Sequence, residues 1–445
     1  MRLRKLLCLS SLVILVTVAL IGYKANLNKP VLTRVKVSED RKVNITDQRC
    51  KWPPWRSQEV AQGSVYNITL CVTLNPRHSP KKTPKKYPLN NLFRLSRHHN
   101  KMTFEELSKL PRRYWRRVKY PDIYQTYPQD VPLRELVADI KAGRPVSVLP
   151  DYNFPLKILI TSKSVCTPNS QHDLIIVVKS AVIAWDMRAS FREFVNEQKA
   201  QHPNLKIGLI FSMGLPRQHG GKVFSREGHA ITLKGRIGEL AEYFDGKTTQ
   251  TMEYVLHEMA HYDDILLADY EDTYFNLTWK TVTNLRWLSA FCGQRNGDVF
   301  LVMDDDHKVN FTYLETILKT SPPEVKRRSI FGLIGKRDAA YRKADGKRYL
   351  SYREFPWNIM APYPRGFAQL FGAEIIDDLA IGSAYTRYNY APEDVYLGML
   401  ALKLGIQLRN MNEMYDHFDF KRRHKNRQPV LIALKRYFDA LVTLS

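Results

Sequence analysis

The chain has 445 residues, 44% of them hydrophobic, and a formal net charge of +24. Its size and apolar content fit one large domain with accessory segments and a sizeable core. The charge calls for an acidic partner: nucleic acid, anionic membrane, sulfated glycan or nucleotide phosphate. The usual nucleic-acid motifs are missing, which excludes the first.

In chain order, "MRLRK" at 1–5 carries three basic residues and "LLCLSSLVILVTVALIGY" at 6–23 carries no charge. At the helical rise that run covers about 27 Å, enough to span a hydrocarbon core. Basic residues on its N-terminal side keep that end cytoplasmic. A cleaved signal peptide usually has a shorter apolar region and an A-x-A site, which is not found here. The expectation is a cytoplasmic tail at 1–5, a transmembrane signal anchor at 6–23 and a lumenal stem at 24–150. Four cysteines follow the anchor, Cys50, Cys71, Cys166 and Cys292, and permit two disulfides in any of three pairings. Sequons at Asn44, Asn67, Asn276 and Asn310 fit a lumenal route. Within the stem, "NPRHSPKKTPKKYPLNNLFRLSRHHNK" is Pro-rich, basic and aperiodic, and reads as a flexible spacer or as a surface for an acidic acceptor or membrane.

From Asp151 to the end at 445 the texture is that of a folded domain. "DLIIVVKSA" (173–181), "LKIGLIFSMG" (205–214), "DVFLVMD" (298–304) and "IFGLIG" (330–335) are apolar, mostly β-branched runs suited to strands buried on both faces. Between them, Val282, Leu285, Leu288 and Cys292 recur at helical spacing. Alternating strands and helices predict an α/β fold with a mostly parallel sheet, whose ligands bind beyond the carboxyl ends of its strands.

Three motifs carry chemistry. His257, Glu258 and His261 spell H-E-x-x-H, a helical zinc signature. A metzincin would continue with Gly three residues and His six residues after His261, where Asp264 and Leu267 stand, so both histidines read as surface helix residues. Asp304, Asp305 and Asp306 close an apolar strand; three adjacent carboxylates repel one another unless a cation lies between them, and hard oxygen ligands suit Mg²⁺ or Mn²⁺. Glu393 and Asp394 follow Pro392 and open an apolar helical run, where they either favour the helix dipole or supply a general base.

Taken in order over roughly residues 155 to 420, these pieces resemble the inverting β1,3-glycosyltransferases of family 31, which hold β1,3-galactosyl- and N-acetylglucosaminyltransferases. The resemblance rests on "LIIVVKSAVIAWDMRASFREF", "YDDILLADYEDTYFNLTWKTVTNLRWLSAFC", "VMDDDHKVN", "KRYLSYREFPWNIMAPYPRGFA" and "EDVYLG". It implies a GT-A type nucleotide-sugar-binding fold and a single-pass type II protein of the Golgi membrane. It implies transfer of a sugar, galactose before N-acetylhexosamine, from a UDP-sugar with inversion, to a glycan on a glycoprotein, glycolipid or proteoglycan. By the same resemblance Asp394 is the general base, with Glu393 next. Asp304 and Asp305 orient the nucleotide, and Asp306 with Asp304 holds Mn²⁺ (or Mg²⁺). Arg188, Arg192 and Lys280 assist at the phosphates or form structural ion pairs. The chain departs from the family at His307 and Lys308, where an apolar pair is usual, and at Ala368 and Gln369. A metal-binding histidine expected downstream is missing from "RQPVLIALKRYFDAL", with His417 and His424 the ones nearby. These departures leave open a catalytically weak relative that binds glycans or partner proteins.

Overall fold

A computed structural model describes residues 70–72, 74, 76–79, 131–153, 156–167, 170–292, 299–336, 338–351, 354–355, 358–387 and 392–414, all within one compact unit spanning 49–445. The expected tail and anchor, the sequons at Asn44 and Asn67, Cys50, and His417 and His424 lie outside the described residues. Among the described residues no helix is long and apolar enough to cross a membrane.

Among the described residues, nine strands form one sheet. In chain order they are β1 (Leu70–Val72), β2 (Leu156–Ile160), β3 (Leu174–Lys179), β4 (Ile207–Leu215), β7 (Ile265–Glu271), β8 (Val299–Asp304), β9 (Ser329–Gly335), β10 (Tyr363–Gly372) and β11 (Gln407–Asn410). Between β4 and β7, β5 (Val223–Arg226) and β6 (His229–Thr232) pair as a separate hairpin. The large sheet runs β1-β2-β7-β4-β3-β8-β10-β9-β11. Its middle, β7-β4-β3-β8, is parallel, while β2 and β10 flank it in the antiparallel sense. The expected parallel sheet is therefore its centre; of the four runs singled out in the sequence, β3, β4 and β8 lie there, whereas β9 pairs antiparallel with β10 and parallel with β11.

Strand β3 shows why the core forms here. All six of its residues are buried. Side chains alternate across a strand, so Ile175 and Val177 enter one apolar cluster while Leu174, Ile176 and Val178 enter the other. Helices cover both faces. On the first lie α1 (Leu133–Lys141), α5 (Leu277–Trp287), α8 (Ala373–Ser383) and α9 (Glu393–Leu404). On the second lie α2 (Trp185–Gln201), α4 (Thr248–Tyr262) and α6 (Phe311–Thr320). Two short helices, α3 (Arg236–Tyr243) and α7 (Pro323–Arg327), complete the described set. Cys166 and Cys292 form a disulfide, one of the pairings open in the sequence.

The domain boundary expected at 151 moves toward the N-terminus. Strand β1 adds to the edge of the sheet beside β2. In α1, Leu133, Leu136, Val137 and Ile140 follow an i, i+3, i+4, i+7 pattern and are buried with Leu74, Val131 and Val146 in the first cluster. Part of the segment read as stem thus belongs to the folded body.

Candidate active site

Parallel pairing places Lys179, the last residue of β3, opposite Asp304, the last residue of β8. Both therefore emerge at the carboxyl edge of the sheet, the edge at which open α/β sheets bind ligands. The Lys179 ammonium is buried, 2.9 Å from Asp304 Oδ1 and 2.6 Å from Glu393 Oε1. Burial alone would lower its pKa; the two carboxylates outweigh that and hold it well above the usual amine range. Lys179 was missed as a site residue in the sequence. Its signal was a lone charge ending an otherwise apolar buried run.

Glu393 and Asp394 are adjacent at the start of α9 and have opposite environments. Burial pushes the Glu393 carboxyl up, but the Lys179 ammonium prevails and holds it below the usual range. The Asp394 carboxyl is pushed up to about 7 by burial and by the neighbouring Glu393 charge. The Gly366 N–H donates to Asp394 Oδ2 at 3.3 Å and the Val395 N–H to Oδ1 at 2.8 Å. A pair of carboxylates whose pKa values are driven apart divides into a fixed charge and a proton acceptor. Here Glu393 is the fixed charge and Asp394 the group poised to take a proton near neutral pH. Gly366, on β10, permits this approach: a Cβ there would lie 2.9 Å from Glu393 Oε1 and 3.3 Å from Lys179 Nζ.

The triple aspartate divides as well. Asp304 is half-buried, and desolvation pushes it up, with Lys179 opposing. The Asp305 carboxyl is pushed up to about 6 by burial, although Ser180 Oγ donates to its Oδ2 at 2.7 Å. Asp306 is the exposed member; burial effects push it up, but His307 Nδ1, 2.6 Å from its Oδ1, leaves it below the usual range. Ligand atoms of Asp304, Asp306 and His307 lie within 4.8 Å of one another. Two carboxylates and an imidazole suit a divalent ion such as Mn²⁺, so the donor set fits the family's metal.

The three cations expected at donor phosphates are committed elsewhere. Arg188 is fully buried: Nε donates to Glu258 Oε1 at 2.9 Å and Nη2 to Oε2 at 2.7 Å. Arg192 Nη1 meets Glu258 Oε1 at 2.8 Å, and its Nε donates to Asp264 Oδ2 at 2.7 Å. Lys280 Nζ lies 2.8 Å from Asp272 Oδ1 and donates to the Ser180 carbonyl. Asp272 Oδ2 in turn accepts from the Val182 N–H at 3.0 Å. Direct phosphate contact is thus replaced by support: Lys280 and Asp272 pin the turn after β3, and Arg188 Nη1 donates to Ser180 Oγ at 3.2 Å, one bond short of Asp305. The same contacts dispose of the H-E-x-x-H pattern. Glu258 points into the protein between two guanidiniums, while His257 and His261 are exposed, as expected.

With this geometry in view, residues 242–412 match the family model described as galactosyltransferase. The segment contains Asp304 to His307, Gly366, Glu393 and Asp394; Lys179, Ser180 and Arg188 precede it and join the site through β3 and α2. The chain is similar to mouse beta-1,3-galactosyltransferase 5, with 30% identity over 176 residues covering 38% of this chain and 54% of that protein. It is similar to lactosylceramide 1,3-N-acetyl-beta-D-glucosaminyltransferase of Xenopus tropicalis, with 25% identity over 232 residues covering 50% and 60% of the two chains. A third relative, beta-1,3-galactosyltransferase brn of Drosophila melanogaster, is 28% identical over 176 residues, 39% of this chain and 52% of the other. The chain spans about half to three-fifths of the length of the first curated relatives it matches.

Proposed function

We propose that the protein is a β1,3-hexosyltransferase with a GT-A type fold that moves a sugar, galactose foremost, from a UDP-sugar to a glycan acceptor with inversion. The reading is carried by one observation: Asp394, pushed up to about 7, stands beside a Glu393 pinned by the same Lys179 that holds Asp304. That arrangement joins a proton acceptor to an acidic strand end suited to a nucleotide diphosphate. The acceptor hydroxyl gives its proton to Asp394 as its oxygen bonds to the anomeric carbon. The bond from that carbon to the donor's phosphate oxygen breaks, and UDP departs with the electron pair. Attack from the face opposite the leaving group inverts the centre. Asp304 and Asp306 would hold Mn²⁺ (or Mg²⁺), which supplies charge neutralisation for the departing diphosphate. Lys179 keeps Glu393 ionised, so that carboxylate does not compete for the acceptor proton, and it fixes Asp304 in place.

The apolar run at 6–23 and the basic residues before it support a type II Golgi membrane protein with its active site in the lumen. The acceptor would then be a glycan on a glycoprotein, glycolipid or proteoglycan. The deciding experiment is a donor screen on the purified protein, measuring UDP release with and without glycan acceptors, for wild type and Asp306→Ala. Acceptor-dependent release from one UDP-sugar, lost in the variant, is the expected result. Glycan binding without release from any donor would favour the non-catalytic relative.

A further inference from the structure

The residue that departs from the family after the triple aspartate is the one the site uses. We propose that His307 is a nitrogen ligand to the divalent ion held by Asp304 and Asp306, and that it makes the site select Mn²⁺ over Mg²⁺. The proposal takes the presence of an ion from the transferase reading; the ligand itself is read from the geometry.

Three observations carry it. First, the imidazole is preset. It stacks on Phe367 with ring centroids 4.8 Å apart and planes 10° apart, which fixes its orientation. Phe367 follows Gly366 on β10, so a strand of the main sheet holds the ring rather than a loose turn. Second, its donor atoms converge with those of the carboxylates, all within 4.8 Å. His307 Nδ1 and Asp306 Oδ1 are in direct contact at 2.6 Å, so an ion approaching the aspartate meets the imidazole as well. Third, Lys179 holds Asp304 Oδ1 at 2.9 Å, which fixes at the strand end the carboxylate that joins Asp306 and His307 in the cluster. The alternative is a simple His307–Asp306 ion pair, half-exposed and worth little to stability. It gives no account of why three donors and a stacked ring meet at the mouth of β8.

Ligand chemistry then sets selectivity. Mg²⁺ demands oxygen donors, whereas imidazole suits Mn²⁺ and the later first-row ions. A site with aspartates alone would bind Mg²⁺ and Mn²⁺ more evenly.

The test is pulsed electron paramagnetic resonance on the purified full-length protein loaded with Mn²⁺ alone, without donor or acceptor. Coupling to a directly bound nitrogen is expected, and its pattern should change when histidine is labelled with ¹⁵N. In His307→Gln the coupling should vanish, and Mn²⁺ affinity should fall at least about tenfold while Mg²⁺ affinity changes less. A wild-type spectrum without nitrogen coupling, or coupling that survives in His307→Gln, would overturn the proposal. So would an equal loss of both ions, or no Mn²⁺ binding at all. The wild-type spectrum needs no variant to fold and no turnover. A nitrogen-coupled ion in a protein inactive with every UDP-sugar would leave this inference standing and remove only the transferase reading.

Discussion

Lys179 Nζ and Glu393 Oε1 lie 2.6 Å apart across 214 residues of chain, tying the end of β3 to the start of α9. The same ammonium holds Asp304 at 2.9 Å, so one buried cation fixes the two acidic motifs of the site against each other.

Replacing that cation should separate the motifs. Lys179→Met leaves the Glu393 carboxylate buried without its partner and Asp304 half-buried without its own, a loss on the order of 3–5 kcal/mol when one side of a buried pair is removed. Because the stranded carboxylates can protonate, the loss should be larger near pH 8 than near pH 5. Thermal unfolding of wild type and variant at the two pH values checks this. An equal loss at both would mean that packing, not charge, is what Lys179 contributes.

The base assignment has a pH signature. Transfer should rise with pH through about 7 as Asp394 ionises, and in Asp394→Asn it should fall by about 10²–10⁴ with UDP affinity kept. Folded Asp394 sits above the ordinary carboxylate value, so its stability contribution is complete at low pH and lost as pH rises through about 7. The melting temperature of Asp394→Asn relative to wild type should therefore shift in the variant's favour between about pH 5 and pH 8. Turnover, UDP affinity and melting temperature measured together, beside Glu393→Gln, test the pair. Unchanged turnover per folded molecule in both variants would remove it from the mechanism.

Glu258 is predicted to be a stability residue. Glu258→Ala strands the guanidiniums of Arg188 and Arg192 in the interior and should cost about 3–5 kcal/mol. His257→Ala and His261→Ala, on the exposed side of α4, should stay within about 0.5 kcal/mol. Denaturant unfolding distinguishes them. Stoichiometric zinc lost with either histidine would restore the protease reading.

Gly366→Ala should be damaging although its backbone conformation is ordinary. The added methyl must displace Glu393 or Lys179, side chains locked to each other, with an overpacking cost of about 1–3 kcal/mol. Turnover should fall with it, because the Gly366 amide also donates to Asp394. A variant with wild-type turnover and melting temperature would show that this approach is looser than described.

The sequence by itself determined β3, β4, β8 and β9, because apolar runs such as "LIIVVK" have low free energy only when buried on both faces, but not the central strand β7. It also determined where the acidic chemistry lies: an aspartate triplet at the end of such a strand and an acidic pair at the start of an apolar helix are local patterns. The tertiary structure decided what those groups do. Nothing near Lys179 in the chain shows that it faces both Asp304 and Glu393, and nothing near Glu258 shows that it will close a network with Arg188 and Arg192 rather than flank a metal. Strand β1 and helix α1 were legible only as stem, because three strand residues and one amphipathic turn pattern gain their stability from distant partners. The division of Glu393 from Asp394 has the same origin. Their local sequence is shared; their protonation is set by burial and by a cation delivered from 214 residues away, a Coulombic effect that depends on distance in space and not on order in the chain.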